Sequence, residues 1–283
     1  MTVKEKKYCR IILKHSIRTT QQRKLQIILL SLLFLLPGCG PKEINIRDDF
    51  EKYFKNNGYT GSFMLYDLKN NSKVYFDRDR CSKGYPPGET YNIFLSLVAL
   101  ETGVAKDENL IIRWDRKKRK YPVWNQDHTL ESALKNSVDW YFEELARRIG
   151  LKPLKKYIRK SGYGNKKVGN QVDNFWMDGS IRISQEDQID FLEDLYANNL
   201  PFSDKTQKTV KRILIKETTE EYTFSAKTGM VDKYGIGWYI GYIERDDNVY
   251  FFATNIFGPP YHKRFHFARI RITHRILKDL DLI

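Results

Sequence analysis

Two regions of the chain carry the short apolar or alternating stretches that are typical of β-strands. Near the start, 62–66 is apolar, 73–76 alternates, and Asn70-Asn71 between them has turn chemistry, which together predict a hairpin. Near the end, three further stretches are rich in β-forming residues, and Asp246-Asp247-Asn248 supplies the turn between the last two. We therefore predict about five strands, at 62–66, 73–76, 222–227, 237–244 and 249–255.

The middle of the chain has helical spacing instead. Residues 93–100 are apolar on almost every side, which is typical of a helix buried in the core. Ser184 followed by Glu186 and Asp187 is typical of a helix start, because the hydroxyl caps free amides and acids suit the first turn. The predicted helices are 93–100, 130–136, 140–149, 153–160, 184–197, 204–216 and 265–280. Strands at both ends of a helical middle predict an α+β fold: one antiparallel sheet of about five strands, with helices on both faces.

The first 38 residues have the pattern of a targeting segment. Residues 1–24 hold eight basic side chains and one acid, and the uncharged apolar run 25–36 is shorter than the roughly 20 residues that a transmembrane helix needs. This pattern predicts a secretory signal. The sequence Leu36-Pro37-Gly38-Cys39 resembles the lipobox of bacterial lipoproteins, which implies that Cys39 is lipidated. We expect an exported, lipid-anchored protein of the periplasm or cell surface; soluble secretion and an uncleaved anchor are the alternatives.

Charge and cysteine content narrow the remaining possibilities. The leader accounts for half of the net charge of +14, so the rest of the chain is only moderately basic and a nucleic-acid partner is not expected. The three cysteines, Cys9, Cys39 and Cys81, show no zinc-like spacing with histidine, and Cys81 is expected to be a buried thiol. We predict no metal site and no cofactor. The predicted organisation is a signal peptide at 1–38, a tether and first helix at 39–57, and one domain at 58–283.

Several short motifs follow one another in a distinctive order. They are Ser137-Val138, Tyr163-Gly164-Asn165, the run Phe175-Trp176-Met177-Asp178-Gly179-Ser180 and the triplet Lys227-Thr228-Gly229. Together they resemble class D β-lactamases, the oxacillinase branch of the penicillin-recognising serine enzymes, over about residues 60–283. The resemblance implies a β-lactamase/transpeptidase-like fold and a cleft for a β-lactam or a peptidoglycan-derived ligand.

The residues that do the family's chemistry are absent. The resemblance implies a Ser-x-x-Lys motif at the start of the core helix, with the serine as nucleophile and a carbamylated lysine as general base. Here the aligned stretch is Glu89-Thr90-Tyr91-Asn92, so Glu89 replaces the serine and Asn92 replaces the lysine. Asp139 further replaces the valine that walls the carbamate pocket, where a carboxylate would repel a carbamate. The catalytic constellation is therefore predicted to be degenerate.

The other family positions are retained. The resemblance implies a ligand-contacting role for these residues and a carboxylate-binding role for the last of them: Ser137, Tyr163, Asn165, Trp176, Lys227, Thr228, Gly229, Met230 and Arg269. The amides of Glu89 and Met230 are expected at the oxyanion-hole positions. Ser137 and Lys227 are the remnant of the catalytic machinery.

Simpler interpretations exist for several of these residues. Trp176 can be a core residue, Tyr163-Gly164-Asn165 a turn, and Ser137 a helix cap. The Glu89 carboxylate can fill the oxyanion hole itself and close the site. Three functions remain open at this point: a catalytically impaired homologue that binds β-lactam or muropeptide-like ligands, an active or weak β-lactam hydrolase with an unrecognised nucleophile, and an envelope interaction domain with a vestigial site.

Overall fold

A single sheet of seven strands organises the computed structural model, which describes residues 43–259 and 264–283. The strand order is β1-β3-β2-β7-β6-β5-β4. Neighbouring strands are antiparallel except β1 and β3, which pair in parallel. The strands are β1 Glu43–Ile46, β2 Thr60–Asp67, β3 Ser72–Phe76, β4 Ile215–Thr218, β5 Tyr222–Val231, β6 Ile236–Arg245 and β7 Asn248–Phe257.

The prediction of about five antiparallel strands was wrong at the two edges of the sheet. The five predicted strands form its centre, and β1 and β4 extend it on either side. All four residues of each edge strand are exposed, so neither strand has a buried face that would produce an alternating pattern. The segment predicted as a tether therefore contains a strand, β1, that pairs with β3.

The predicted helices are confirmed with small changes at their ends. The longer helices are α3 Asn92–Glu101, α4 Leu130–Asn136, α5 Asp139–Ile149, α6 Leu151–Ser161, α7 Gln185–Tyr196, α8 Asp204–Leu214 and α9 Phe265–Asp279. Two short helices, α1 Glu51–Lys55 and α2 Arg78–Cys81, precede them. Ser184 caps α7 as expected: its hydroxyl accepts from the amide of Asp187, and the Asp187 carboxylate binds the Ser184 amide in return.

Helices cover both faces of the sheet, as predicted. On one face the buried side chains of α3 to α8 form a large apolar core with β2, β6 and β7. On the other face α1 and α9 pack a smaller core against the same strands. The helix α3 lies inside the larger core, with Phe94, Leu97 and Val98 fully buried, which is why its sequence is apolar on nearly every side.

The 3₁₀ turn Gly88–Tyr91, which leads into α3, packs directly against β5. Two glycines permit this contact. A β-carbon on Gly88, which has φ +55°, would lie 2.6 Å from the Met230 carbonyl oxygen, and one on Gly229 would lie 2.8 Å from the Pro87 carbonyl oxygen. The turn therefore places Glu89 next to the backbone of β5. This contact positions the site described below.

The predicted signal segment and Cys39 lie outside the described residues. Within 43–259 and 264–283, no helix is long and apolar enough to cross a membrane. Cys81 is a buried free thiol, as predicted, and burial raises its pKa to about 12.

The close contact at Gly88 can be separated from simple backbone strain by comparing two glycine variants. Gly103 also has a positive φ, +74°, but a β-carbon there meets nothing within 4 Å. Gly103→Ala should lower the free energy of unfolding by about 1–2 kcal/mol, the usual cost of a left-handed residue. Gly88→Ala should cost a further ~1–3 kcal/mol, because β5 must move away from the added methyl group. Urea unfolding checks this, and equal losses in the two variants would show that the turn is not tightly packed on β5.

Candidate active site

Four parts of the fold bring charged and polar side chains to one cleft. The turn before α3 supplies Glu89, the α4–α5 junction supplies Ser137 and Asp139, β5 supplies Lys227, and α9 supplies Arg269. The carboxylate of Glu89 interacts electrostatically with both Lys227 and Arg269, and Asp139 interacts with Glu89 and Lys227. Residues far apart in sequence, predicted to share a site, therefore lie together.

The Glu89 carboxylate accepts hydrogen bonds from the two backbone amides that were expected to form an oxyanion hole. Its Oε2 accepts a hydrogen bond from the Met230 amide, and the carboxylate also accepts one from the Glu89 amide. The side chain is only 8% exposed. Burial raises the pKa of this carboxyl, while Lys227, the two amides and Arg269 act in the opposite direction. These contacts are those expected of a carboxylate that closes its own site.

Lys227 is buried in the cleft with its amine bound to two oxygens. It is 2% exposed, and its Nζ donates to Ser137 Oγ and, at 2.7 Å, to the Thr228 carbonyl. No carboxylate within the described residues lies at ion-pair distance from this amine. Burial lowers the pKa of Lys227 to about 7, because a charged ammonium loses its hydration there; Glu89 opposes this shift. The amine is therefore partly neutral near pH 7.

Ser137 lies at the junction of two helices. It follows α4 with φ 51° and ψ 52°, in the left-handed region, and α5 begins two residues later. Its hydroxyl binds Lys227 and does not cap α5, whose N-cap residue is Val138. The simpler interpretation of Ser137 as a helix cap alone therefore does not account for its contact with the lysine.

Asp139 adds a second carboxylate beside Glu89. It is the first residue of α5 and is partly buried. Burial raises its pKa well above the ordinary value, and the carboxylates of Glu89 and Glu143 raise it further, while Lys227 opposes them. Two like charges in a poorly hydrated cleft repel, so this site disfavours a third anion such as a carbamate.

Asn92 stands where a lysine was expected, and its side chain makes no hydrogen bond to the part of the chain that the structure describes. It is 1% exposed, and neither its side-chain oxygen nor its nitrogen has a hydrogen-bond partner. Glu89 and Asn92 are three residues apart in a continuous helical segment, so they share one face of it. The short side-chain amide of Asn92 thus fills the position, but unlike a lysine amine it cannot be carbamylated or act as a base.

Three of the residues predicted to contact a ligand have other surroundings. Trp176 is buried and stacks on Tyr91 with ring centroids 5.4 Å apart, which agrees with its interpretation as a core residue. Tyr163 is also buried, and its ring packs at 5.1 Å from those of Phe94 and Phe191.

Asn165 is exposed, and its side chain binds the backbone of its own loop through Ser180 and Arg182. Tyr163 therefore packs in the core and Asn165 stabilises a turn. That they also contact a ligand stays a prediction.

Tyr121 was not predicted from the sequence as a residue of this site. Its phenol lies near the cleft: burial raises its pKa, and the carboxylates of Asp232, Glu89 and Asp139 raise it further. Its hydroxyl is 3.3 Å from Nε2 of His266, one helical turn before Arg269 on α9. Tyr121 lies in a segment without regular apolar spacing, and only the folded chain brings it beside α9.

The electrostatic effect of Glu89 on the pKa of Lys227 can be tested by substitution. Removing an anion beside an ammonium disfavours the charged form, so Glu89→Gln should lower the pKa of Lys227 from about 7. NMR titration of ¹³C-methylated lysines measures this value. Glu131→Gln, which removes the exposed partner of Lys135, is the matched control and should leave Lys227 unchanged. An unaltered Lys227 titration in Glu89→Gln would mean that the two groups are not electrostatically linked.

Comparison with known proteins agrees with this geometry. Residues 50–280 match the family described as the penicillin binding protein transpeptidase domain. β-Lactamase OXA-48 of Klebsiella pneumoniae is 35% identical over 242 residues, which cover 83% of this chain and 91% of that protein. The probable β-lactamase YbxI of Bacillus subtilis is 35% identical over 215 residues, covering 76% of this chain and 78% of that protein.

Solved structures give the same result. A class D β-lactamase from Nostoc superimposes with a TM-score of 0.79 at 40% identity, covering 83% of this chain and 99% of that one. The C-terminal domain of the Bacillus licheniformis BlaR penicillin-receptor superimposes with a TM-score of 0.80 at 30% identity, covering 88% of this chain and 100% of that one. By sequence and by structure, the chain belongs to the class D β-lactamase family.

Proposed function

We propose that this protein is a catalytically impaired member of the family, a cell-envelope protein that binds β-lactam or muropeptide-like ligands without the family's turnover. The observation that carries the proposal is the hydrogen bond from the Met230 amide to the Glu89 carboxylate. An oxyanion hole stabilises the negative charge that develops on a reacting carbonyl oxygen. Because these amides already donate hydrogen bonds to the Glu89 carboxylate, they are not available to stabilise that charge.

The groups that remain suit recognition of a polar ligand. Lys227, Thr228 and Gly229 form one side of the cleft on β5, and Arg269 faces it from α9. The guanidinium of Arg269 is buried, and its Nε has no hydrogen-bond partner within 43–259 and 264–283, which supports a role for this residue as donor to a ligand carboxylate. Burial lowers its pKa, and Glu89 opposes the shift.

Loss of both the nucleophile and the base predicts a large loss of rate. Removing one member of a nucleophile–base pair commonly costs about as much as removing the whole pair, on the order of a million-fold. We expect hydrolysis of a chromogenic cephalosporin to be indistinguishable from the buffer rate, while binding persists in a thermal-shift titration with benzylpenicillin. Hydrolysis at the rate of an active family member would contradict the proposal.

Restoring the three changed positions together tests whether the rest of the cleft keeps a working geometry. The triple variant Glu89→Ser, Asn92→Lys, Asp139→Val should form a penicilloyl adduct, read by intact-protein mass. Bicarbonate should increase its activity, because carbamylation of the new lysine consumes carbon dioxide.

Two partial variants serve as controls for the triple change. Glu89→Ser alone supplies a hydroxyl without a base, and a lone serine is a weak nucleophile at neutral pH. Asn92→Lys alone places an amine beside Glu89 and Asp139, which favour its charged form and oppose carbamylation. Both should remain inactive. A folded triple variant without an adduct at any bicarbonate concentration would favour the other function, an interaction domain with a vestigial site.

Export and lipidation form a separate part of the proposal and are supported by the pattern of residues 1–39. Metabolic labelling with a palmitate analogue should tag the protein in a bacterial host, and Cys39→Ala should abolish the tag. Cys81→Ala is the matched control, because that thiol is buried and should not affect labelling. An untagged wild-type protein with a mature terminus elsewhere would contradict the lipobox interpretation.

A further inference from the structure

The contact between Ser137 and Lys227 has features that ligand binding alone does not require. Nζ of Lys227 is hydrogen-bonded to Ser137 Oγ, and among the described residues its other acceptor is the Thr228 carbonyl, at 2.7 Å. A protonated lysine has three N–H donors, whereas a neutral amine has two donors and a lone pair. The neutral form can therefore donate to the Thr228 carbonyl and accept the proton of the Ser137 hydroxyl.

The end of α4 sets the position of Ser137. Ser137 is the C-cap residue of that helix, with φ 51° and ψ 52°, the left-handed conformation that commonly ends a helix. From this position its Oγ is hydrogen-bonded to Nζ of Lys227. Unlike Lys227, Ser137 is only partly buried, so a reagent can approach its hydroxyl.

The charged groups around Lys227 come from four elements. They are Glu89 before α3, Asp139 at the start of α5, Lys216 on β4 and Arg269 on α9. The two cations and burial favour the neutral amine, whereas the two carboxylates favour the ammonium, and the balance places the pKa of Lys227 at about 7. A base with a pKa near the working pH combines a useful neutral fraction with effective proton transfer.

We propose that Ser137 and Lys227 form a nucleophile–base dyad that accepts an acyl group from small activated esters. Ser137 Oγ attacks the ester carbonyl carbon while its proton passes to Nζ of Lys227. The bond from the carbonyl carbon to the leaving oxygen then breaks, and the leaving group departs as the alkoxide or takes the proton from Lys227. The product is an ester on Ser137. This activity goes beyond the proposed function, since it does not use Glu89, Asn92 or the amide of Met230.

The experiment uses 4-nitrophenyl acetate with the full chain. The wild type should release nitrophenolate in a burst and gain one acetyl group by intact-protein mass, and peptide mapping should place that group on Ser137. Because this probe is not a β-lactam, its result is independent of whether the cleft binds penicillins. A failure of the dyad and a failure of the proposed ligand-binding function are therefore distinguishable.

Two substitutions remove one partner each and keep the local structure. Ser137→Gly deletes the hydroxyl and adopts the left-handed backbone without strain. Lys227→Arg keeps a cation, but its guanidinium does not deprotonate at neutral pH and cannot act as base. Each should reduce the burst about tenfold or more, the change expected when a barrier rises by ~1.4 kcal/mol. The control Ser161→Ala removes a partly buried hydroxyl at the end of α6, bound only to its own helix, and should keep the burst.

The pH profile separates a base from a structural lysine. The rate of Ser137 acetylation should rise with pH and level off above the pKa of Lys227, near 7, because only the neutral amine accepts the proton. Acetylation mapped to other residues, a burst that survives Ser137→Gly or Lys227→Arg, or a rate without this rise would each overturn the proposal.

Discussion

The arrangement of this molecule depends on the close packing of the turn Gly88–Tyr91 against β5. Glycines on both sides let the two backbones approach to a distance at which no larger residue fits. That approach places the Met230 amide within hydrogen-bonding distance of the turn, and the side chain at position 89 decides what the amide binds. A serine there would leave the amide free for a ligand carbonyl. A glutamate brings its own acceptor, and its carboxylate binds the Met230 amide.

Charge balance explains why the three changed positions belong together. A buried carboxylate at Glu89 is stabilised by two amides, by the nearby Lys227 and by Arg269. Asp139 places a second carboxylate in the same cleft, and a carbamylated lysine at position 92 would add a third negative charge without a further cation. The neutral amide of Asn92 avoids that repulsion, although its polar atoms lose hydrogen bonds in the process. A carbamate at position 92 would therefore be repelled by Glu89 and Asp139, which is the electrostatic basis of the proposed loss of turnover.

Burial and the neighbouring cations of the same cleft also lower the pKa of Lys227. In water its amine would be charged at neutral pH, but burial and the neighbouring cations offset the attraction of the two carboxylates. Its contact with Ser137 therefore joins a basic nitrogen to a hydroxyl. The proposed dyad depends on this contact, because desolvation lowers the pKa of the lysine beside the hydroxyl.

The sequence by itself determined the element types, the five central strands and the changed positions Glu89, Asn92 and Asp139. The elements follow from apolar spacing and turn chemistry, which are local along the chain. The changed positions follow from the resemblance of the motifs to those of class D β-lactamases. The edge strands β1 and β4 escaped prediction because neither has a buried face. Only the tertiary structure decided that Tyr121 lies near the cleft and that the Glu89 carboxylate binds the amide of Met230. Each of these depends on which groups from distant parts of the chain surround a side chain once its water is removed, and no local pattern encodes that.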